Sequence, residues 1–134
     1  DLTKRLMHLY ITNALRGKDL EVFGDPKTKT LDFTYIDDFV DGVMLAINGP
    51  NNSEYNISGN DEYNVYQLAQ FIIEQTKSKS KIVVSNAEIA QPQVVRINTS
   101  KIQKLGYSPK VRIEEGALRC IDFYKEYMKR EKII

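Results

Sequence analysis

Leu20-Glu21-Val22-Phe23-Gly24-Asp25 and, after a short connector, Asp32-Phe33-Thr34-Tyr35-Ile36-Asp37-Asp38-Phe39-Val40-Asp41-Gly42 form the stretch on which the fold turns. Leu20–Phe23 reads as a short strand, closed by the Gly24-Asp25-Pro26 turn. Asp32–Ile36 reads as a second strand, with Phe33 and Tyr35 on one face. Asp37 or Asp38 then caps a helix over Phe39–Asn48, and Gly49-Pro50 stops it. Val40, Val43, Met44 and Ile47 give that helix an i, i+3, i+4, i+7 apolar stripe.

Upstream, Thr3 is placed to cap a helix over Lys4–Arg16, with Met7, Tyr10, Ile11 and Ala14 on its apolar face and Gly17 as its stop. Downstream, Tyr55–Ser58 reads as a short strand. Asn64, with Gln67 three residues on, resembles a capping box that opens a helix over Val65–Thr76, burying Leu68, Ala69 and Ile72. Lys81–Ser85 is a β-branched strand, and residues 86–93 form a loop in which Pro92 limits pairing. Asn98 or Thr99 caps a short helix ending at Leu105-Gly106. A long last helix over about Ile113–Lys129 carries Glu114 and Glu115 in its first turn and Lys129 and Arg130 at its end, complementing the helix dipole. The order is α, β, β, α, β, α, β, α, α. This is an α/β chain of mixed α+β character, short strands packed with about five helices, and not a complete doubly wound sheet.

The chain has 134 residues, 42% apolar and 28% charged, which suits one domain with a real core. Lys plus Arg number 19 against 18 Asp plus Glu, so no general basic surface argues for nucleic acid. No apolar run is long enough to span a membrane, and a cytoplasmic location is expected. One cysteine, Cys120, and one histidine, His8, exclude an internal disulfide framework and cysteine- or multi-histidine metal sites. None of the 7 glycines stands in a G-x-G-x-x-G or P-loop arrangement.

The residues with possible chemistry read structurally. Asp37-Asp38 suits a helix start, His8 a surface or packing position, and Cys120 a small buried hydrophobe beside Arg119. The basic tail Lys125–Lys132 is a solvated helix end. Phe23, Phe33 and Tyr35 suit core packing, while an aromatic ring at a strand end is also a platform for a nucleobase.

Taken in order, several segments resemble one family. They are Leu20–Asp25 with Asp32–Gly42; Glu54-Tyr55-Asn56-Ile57-Ser58-Gly59; Asn98-Thr99-Ser100-Lys101 with Leu105-Gly106-Tyr107-Ser108-Pro109; and Ile113-Glu114-Glu115-Gly116. They resemble the C-terminal, substrate-binding part of extended short-chain dehydrogenases/reductases, the NAD-dependent epimerase/dehydratase family that acts on nucleotide sugars. The resemblance implies that residues 1–134 form the C-terminal substrate-binding region of an extended Rossmann-type epimerase. Elements at about 37–60 would return to a Rossmann domain outside this chain. It implies NAD as the cofactor of the full-length enzyme, no metal, and a nucleotide-diphosphate sugar as partner. The family's glycine-rich turn and its Tyr-x-x-x-Lys are absent from this sequence, so the chain alone is expected to be inactive, with neither catalytic nor cofactor-binding residues.

Carried over by position, Met7 and Phe23 lie near the nucleobase, Phe33 flanks the diphosphate, and Arg96 is the best local cation for it. Two departures stand out: the family's diphosphate arginine is Leu31 here, and a second arginine position aligns near Glu88. Either Lys27, Lys29 or Arg96 substitutes, or the substrate is not an ordinary nucleotide-diphosphate sugar. The alternative is a non-catalytic binding or self-associating module derived from that family. Unpartnered apolar elements at 37–60 predict a homo-oligomer.

Overall fold

The computed structural model describes residues 5–86 and 92–134. Its elements are α1 (Leu6–Leu15), β1 (Leu20–Phe23), β2 (Thr30–Phe33), α2 (Ile36–Ile47), β3 (Asp61–Asn64), α3 (Val65–Thr76), β4 (Ile82–Ser85), α4 (Ser100–Gln103) and α5 (Ile113–Arg130). This is the expected mixed α/β class, five helices with short strands. The strands form two separate pairs. β1 runs parallel to β4, Leu20 opposite Ile82, and β2 runs antiparallel to β3, Thr30 opposite Asn64 and Phe33 opposite Asp61.

The core lies where α1, α3 and α5 pack together on β1. Tyr10, Ile11 and Ala14 meet Leu20 and Val22, Val65, Leu68, Ala69 and Ile72, and Ile113, Ala117 and Ile121. Each set has the periodicity of its element: period two along β1, three and four along the helices. α3 matches its expected bounds, because Asn64 Oδ1 accepts from the Gln67 N–H at 2.9 Å and satisfies an otherwise orphaned donor. β3 ends at Asn64 and α3 begins at the next residue.

Other expectations are corrected. Tyr35 is not on a strand face; β2 ends at Phe33 and Tyr35 is the residue immediately before α2. Neither Asp37 nor Asp38 caps that helix. Both lie inside its first turn, and the buried Asp38 carboxylate instead accepts the Lys110 and Val111 N–H groups at 2.9 and 3.0 Å. Tyr55–Ser58 is not a strand, having no ladder partner among the described residues. It is held by side chains: Tyr107 donates to the Ser58 carbonyl and Asn56 to the Asn98 carbonyl. The strand that does form, Asp61-Glu62-Tyr63-Asn64, is polar and gains its order from pairing with β2. Asn98 Oδ1 accepts the Ser100 N–H, whereas the Thr99 hydroxyl is bonded to Asn60, so Asn98 serves the start of α4. Thr3 lies outside the described residues, and α1 starts after Arg5 without a side-chain cap.

The apolar stripe of α2 lies largely at the surface. Ile36, Val40, Met44 and Ile47 are exposed, Ile47 by 69%, and Phe39 beside them is exposed too. The opposite side of α2 is packed closely: a Cβ at Gly42 would lie 2.6 Å from Ile57 Cγ2.

Gly59 fixes where β2 turns into α2. A Cβ there would sit 2.1 Å from the Phe33 carbonyl oxygen, a backbone atom that cannot swing aside. Its N–H donates to Thr34 Oγ1 at 3.0 Å. Gly59→Ala is expected to lower stability by about 1–3 kcal/mol through overpacking. Urea unfolding against the parent chain measures this, and an unchanged midpoint would contradict the close approach.

Candidate functional site

Three stretches converge on one cavity of about 300 Å³: Met7 near the start of α1, Phe33–Ile36 at the β2–α2 junction, and Val111–Ile113 with Gly116 and Cys120 of α5. That volume is at the small end of ligand pockets. The sequence builds each wall by a distinct device. Gly59 holds the β2–α2 junction from behind, as described above. Gly116 leaves room for the Tyr35 ring, since a Cβ there would lie 3.2 Å from Tyr35 Cδ2. The Arg119 guanidinium stands over the same ring, 5.0 Å from its centroid, and pairs with Glu115 one turn back.

The third wall hangs on two buried carboxylates. Asp38 takes the Lys110 and Val111 N–H groups. Asp61, at the start of β3, accepts the Ile113 N–H through Oδ2 at 2.6 Å and pairs through Oδ1 with Arg112 Nη2 at 3.0 Å. The walls are mostly apolar, and Arg112 is the one charged residue among those lining the cavity. Cys120 shares its wall, and burial pushes its thiol above the ordinary value. His8 stands outside, with Nδ1 2.9 Å from the Tyr124 hydroxyl and the rings edge-on. It has the packing role expected of it. A shallower groove along α1 and α5, lined by Arg5, His8, Phe123, Tyr124 and Tyr127, shares Met7 and Cys120 with the cavity.

Of the residues expected at a ligand, Met7 and Phe33 are brought together in this cavity. Phe23, half-buried at the end of β1, is not part of its lining, nor is Arg96. Arg96 pairs with Glu62 at 2.6 Å, and Glu62 also accepts the Thr30 hydroxyl; these contacts hold the Glu62 carboxyl below the usual range. Lys29 is buried with its ammonium donating to the Pro92 carbonyl at 2.6 Å. Leu31 packs against the core, and Glu88 lies outside the described residues. Tyr35, Arg112, Gly116 and Cys120 were not read as cavity residues from sequence. Arg112 and Gly116 flank and end the Ile113-Glu114-Glu115-Gly116 segment that marked the resemblance, which was the available signal.

Among the described residues, the turn after β1 and the first turns of α2, α3 and α5 do not suit a dinucleotide pyrophosphate. β1 leads through the Gly24 turn to another strand, and the space beside Gly24 is filled by Gln93, whose Oε1 would lie 2.7 Å from a Cβ there. The first turn of α2 carries Asp37 and Asp38 and that of α5 carries Glu114 and Glu115, which oppose a pyrophosphate; the first turn of α3 is occupied by Asn64. Among the described residues no three His, Cys, Asp or Glu side chains group to hold a metal, and no helix is long and apolar enough to cross a membrane.

The model of the NAD dependent epimerase/dehydratase family matches residues 1–65. The chain is 32% identical over 113 residues to UDP-glucuronic acid decarboxylase 6 of Arabidopsis thaliana, covering 84% of this chain and 33% of that protein. It is similar to the solved UDP-glucose 4-epimerase of Thermotoga maritima with UDP-glucose, at a TM-score of 0.85 and 25% identity over 92% of this chain and 40% of that one. It is likewise similar to UDP-glucuronic acid 4-epimerase from Bacillus cereus in complex with UDP-glucuronic acid and NAD, at a TM-score of 0.83, 26% identity and the same coverages, 92% and 40%. The chain thus spans about a third of the length of the curated relative it matches.

Because its raised pKa keeps Cys120 protonated at neutral pH, iodoacetamide is expected to label the folded chain more slowly than the urea-unfolded chain, with the folded rate climbing as pH rises. Equal rates in the two states would show that the thiol is not shielded by the cavity wall.

Proposed function

The chain belongs to the NAD-dependent epimerase/dehydratase family, and on that premise we propose that it is the sugar-nucleotide-binding portion of an NAD-dependent nucleotide-sugar epimerase or dehydratase. The observation that carries the proposal is the meeting of Met7 and Phe33 in one apolar cavity at the β2–α2 junction. A soft thioether and an aromatic ring suit the faces of a sugar or a base. The solved relatives with UDP-glucose and UDP-glucuronic acid support the ligand class. Phe23 and Arg96, outside the cavity lining, belong to this proposal as the outer part of a site that extends past it, on the base and the diphosphate.

Hydride transfer requires a bound nicotinamide and a proton-transferring residue beside it. The absence of Tyr-x-x-x-Lys from this sequence supports binding without turnover by this chain alone. No step through NAD is therefore assigned to its residues.

A second reading rests on α2. Its exposed Ile36, Val40, Met44 and Ile47 form a continuous apolar stripe that water does not favour, which supports self-association of the chain.

Calorimetric titration of UDP, UDP-glucose and UDP-glucuronic acid is expected to give saturable binding that Phe33→Ala or Met7→Ala weakens. No binding by any of the three would refute the sugar-nucleotide reading. For the second reading, light scattering is expected to give a mass above the 15.4 kDa of the single chain, restored to it by Met44→Glu with Ile47→Glu. A strictly monomeric parent at high concentration would refute self-association.

A further inference from the structure

Arg112 lies in none of the segments that carry the resemblance, yet it is the charged residue of the cavity wall. We propose that Arg112 binds the anionic oxygens of the sugar nucleotide, with Asp61 as the positioning residue that holds its guanidinium at the cavity. This deepens the sugar-nucleotide reading and rests on it.

A diphosphate or a carboxylate strongly favours a planar guanidinium, which offers two parallel N–H donors along one edge. The position where the resemblance places such a group holds Leu31, packed against the core. Lys29 is committed to the Pro92 carbonyl, and Arg96, paired through Nε with Glu62, stands outside the cavity lining. Arg112 differs from both in lining the cavity. Only its Nη2 is engaged, by Asp61, and among the described residues its Nε and Nη1 make no hydrogen bond. Its side chain is 72% exposed while that of Asp61 is 4% exposed, so the anchor is buried and the fork remains accessible.

Asp61 suits the positioning role because its carboxylate is shared. One oxygen accepts the Ile113 N–H, the other holds Arg112, and the antiparallel register places Asp61 opposite Phe33. The cation is thus tied to the same strand pair that carries the aromatic wall. No carboxylate lines the cavity to compete for it. The two acids in the first turn of α5 are engaged elsewhere: Glu115 pairs with Arg119, and Glu114 stands against the Tyr63 phenol, whose pKa is raised by burial and then by that carboxylate. Apolar walls on one side of the guanidinium weaken solvent screening and strengthen its attraction for an anion.

The test is titration of the 134-residue chain with UDP, UDP-glucose and UDP-glucuronic acid at low and high salt, using the parent, Arg112→Gln, Arg112→Lys, Arg96→Gln and, as a distant control, Arg130→Gln. Arg112→Gln is expected to weaken binding about tenfold or more and to flatten its salt dependence. Arg112→Lys, which keeps the charge without the fork, should fall between the two, and Arg130→Gln should match the parent. Equal losses for all three ligands place the guanidinium on the diphosphate; a loss confined to UDP-glucuronic acid places it on the sugar carboxylate. Circular dichroism checks that each variant folds, and Arg112→Lys decides the question if Arg112→Gln does not. Asp61→Asn keeps an acceptor for the Ile113 N–H but removes the charge, and is expected to weaken the anion without loss of fold. Parent-like affinity and salt dependence in the folded Arg112 variants, with or without a loss in Arg96→Gln, would overturn this assignment and leave the sugar-nucleotide reading intact. Absence of binding by the parent would overturn both.

Discussion

The carboxylate of Asp61 is the interaction on which the rest of the arrangement depends. A buried carboxylate is costly unless its oxygens are satisfied, and here each has one partner: the Ile113 N–H and the Arg112 guanidinium. The first bond falls at the start of α5, where a negative charge also suits the helix dipole. Asp61 therefore fixes the position at which an 18-residue helix enters the core. Ile113, Ala117 and Ile121 then meet α1 and α3, while Gly116 and Cys120 fall on the cavity side.

The same strand pair serves both stability and recognition. β3 brings Asp61 to α5, and β2 brings Phe33 to the cavity, with Gly59 allowing the backbone to close behind them. Asp38 completes the frame by holding residues 110 and 111 through two backbone hydrogen bonds. The cavity wall is consequently built from loop backbone clamped by buried acids, which limits how far Val111 and Arg112 can move relative to Tyr35.

Much of this was legible in the sequence. α1, β1, α3, β4 and α5 carry apolar periodicity over enough residues to be read, and α3 adds a side-chain cap at Asn64. Met7 and Phe33 were singled out through the resemblance, and the structure brings them together. β3 was hidden because Asp61-Glu62-Tyr63-Asn64 has no strand-like composition, and only its partner strand orders it. Asp37-Asp38 was ambiguous because acids suit a helix start whatever they bind; the real ligands of Asp38 lie more than 70 residues away. Arg112 was missed for a similar reason: a lone arginine before a helix gains meaning only when β3 places Asp61 beside it. The α2 stripe was read correctly as apolar, but periodicity does not say what covers it.

The parallel pairing of β1 with β4 has a kinetic meaning. Its partners, Leu20 with Ile82 and Phe23 with Ser85, are joined only after the chain has passed through β2, α2, β3 and α3. Contacts so distant along the chain carry a large loop-closure entropy and form slowly unless intervening elements first bring their ends together. α3, with its own cap and its face against α1, is the element able to do so. Docking α3 on α1 and pairing β4 with β1 close nearly the same stretch of chain, so the two contacts share one entropic cost.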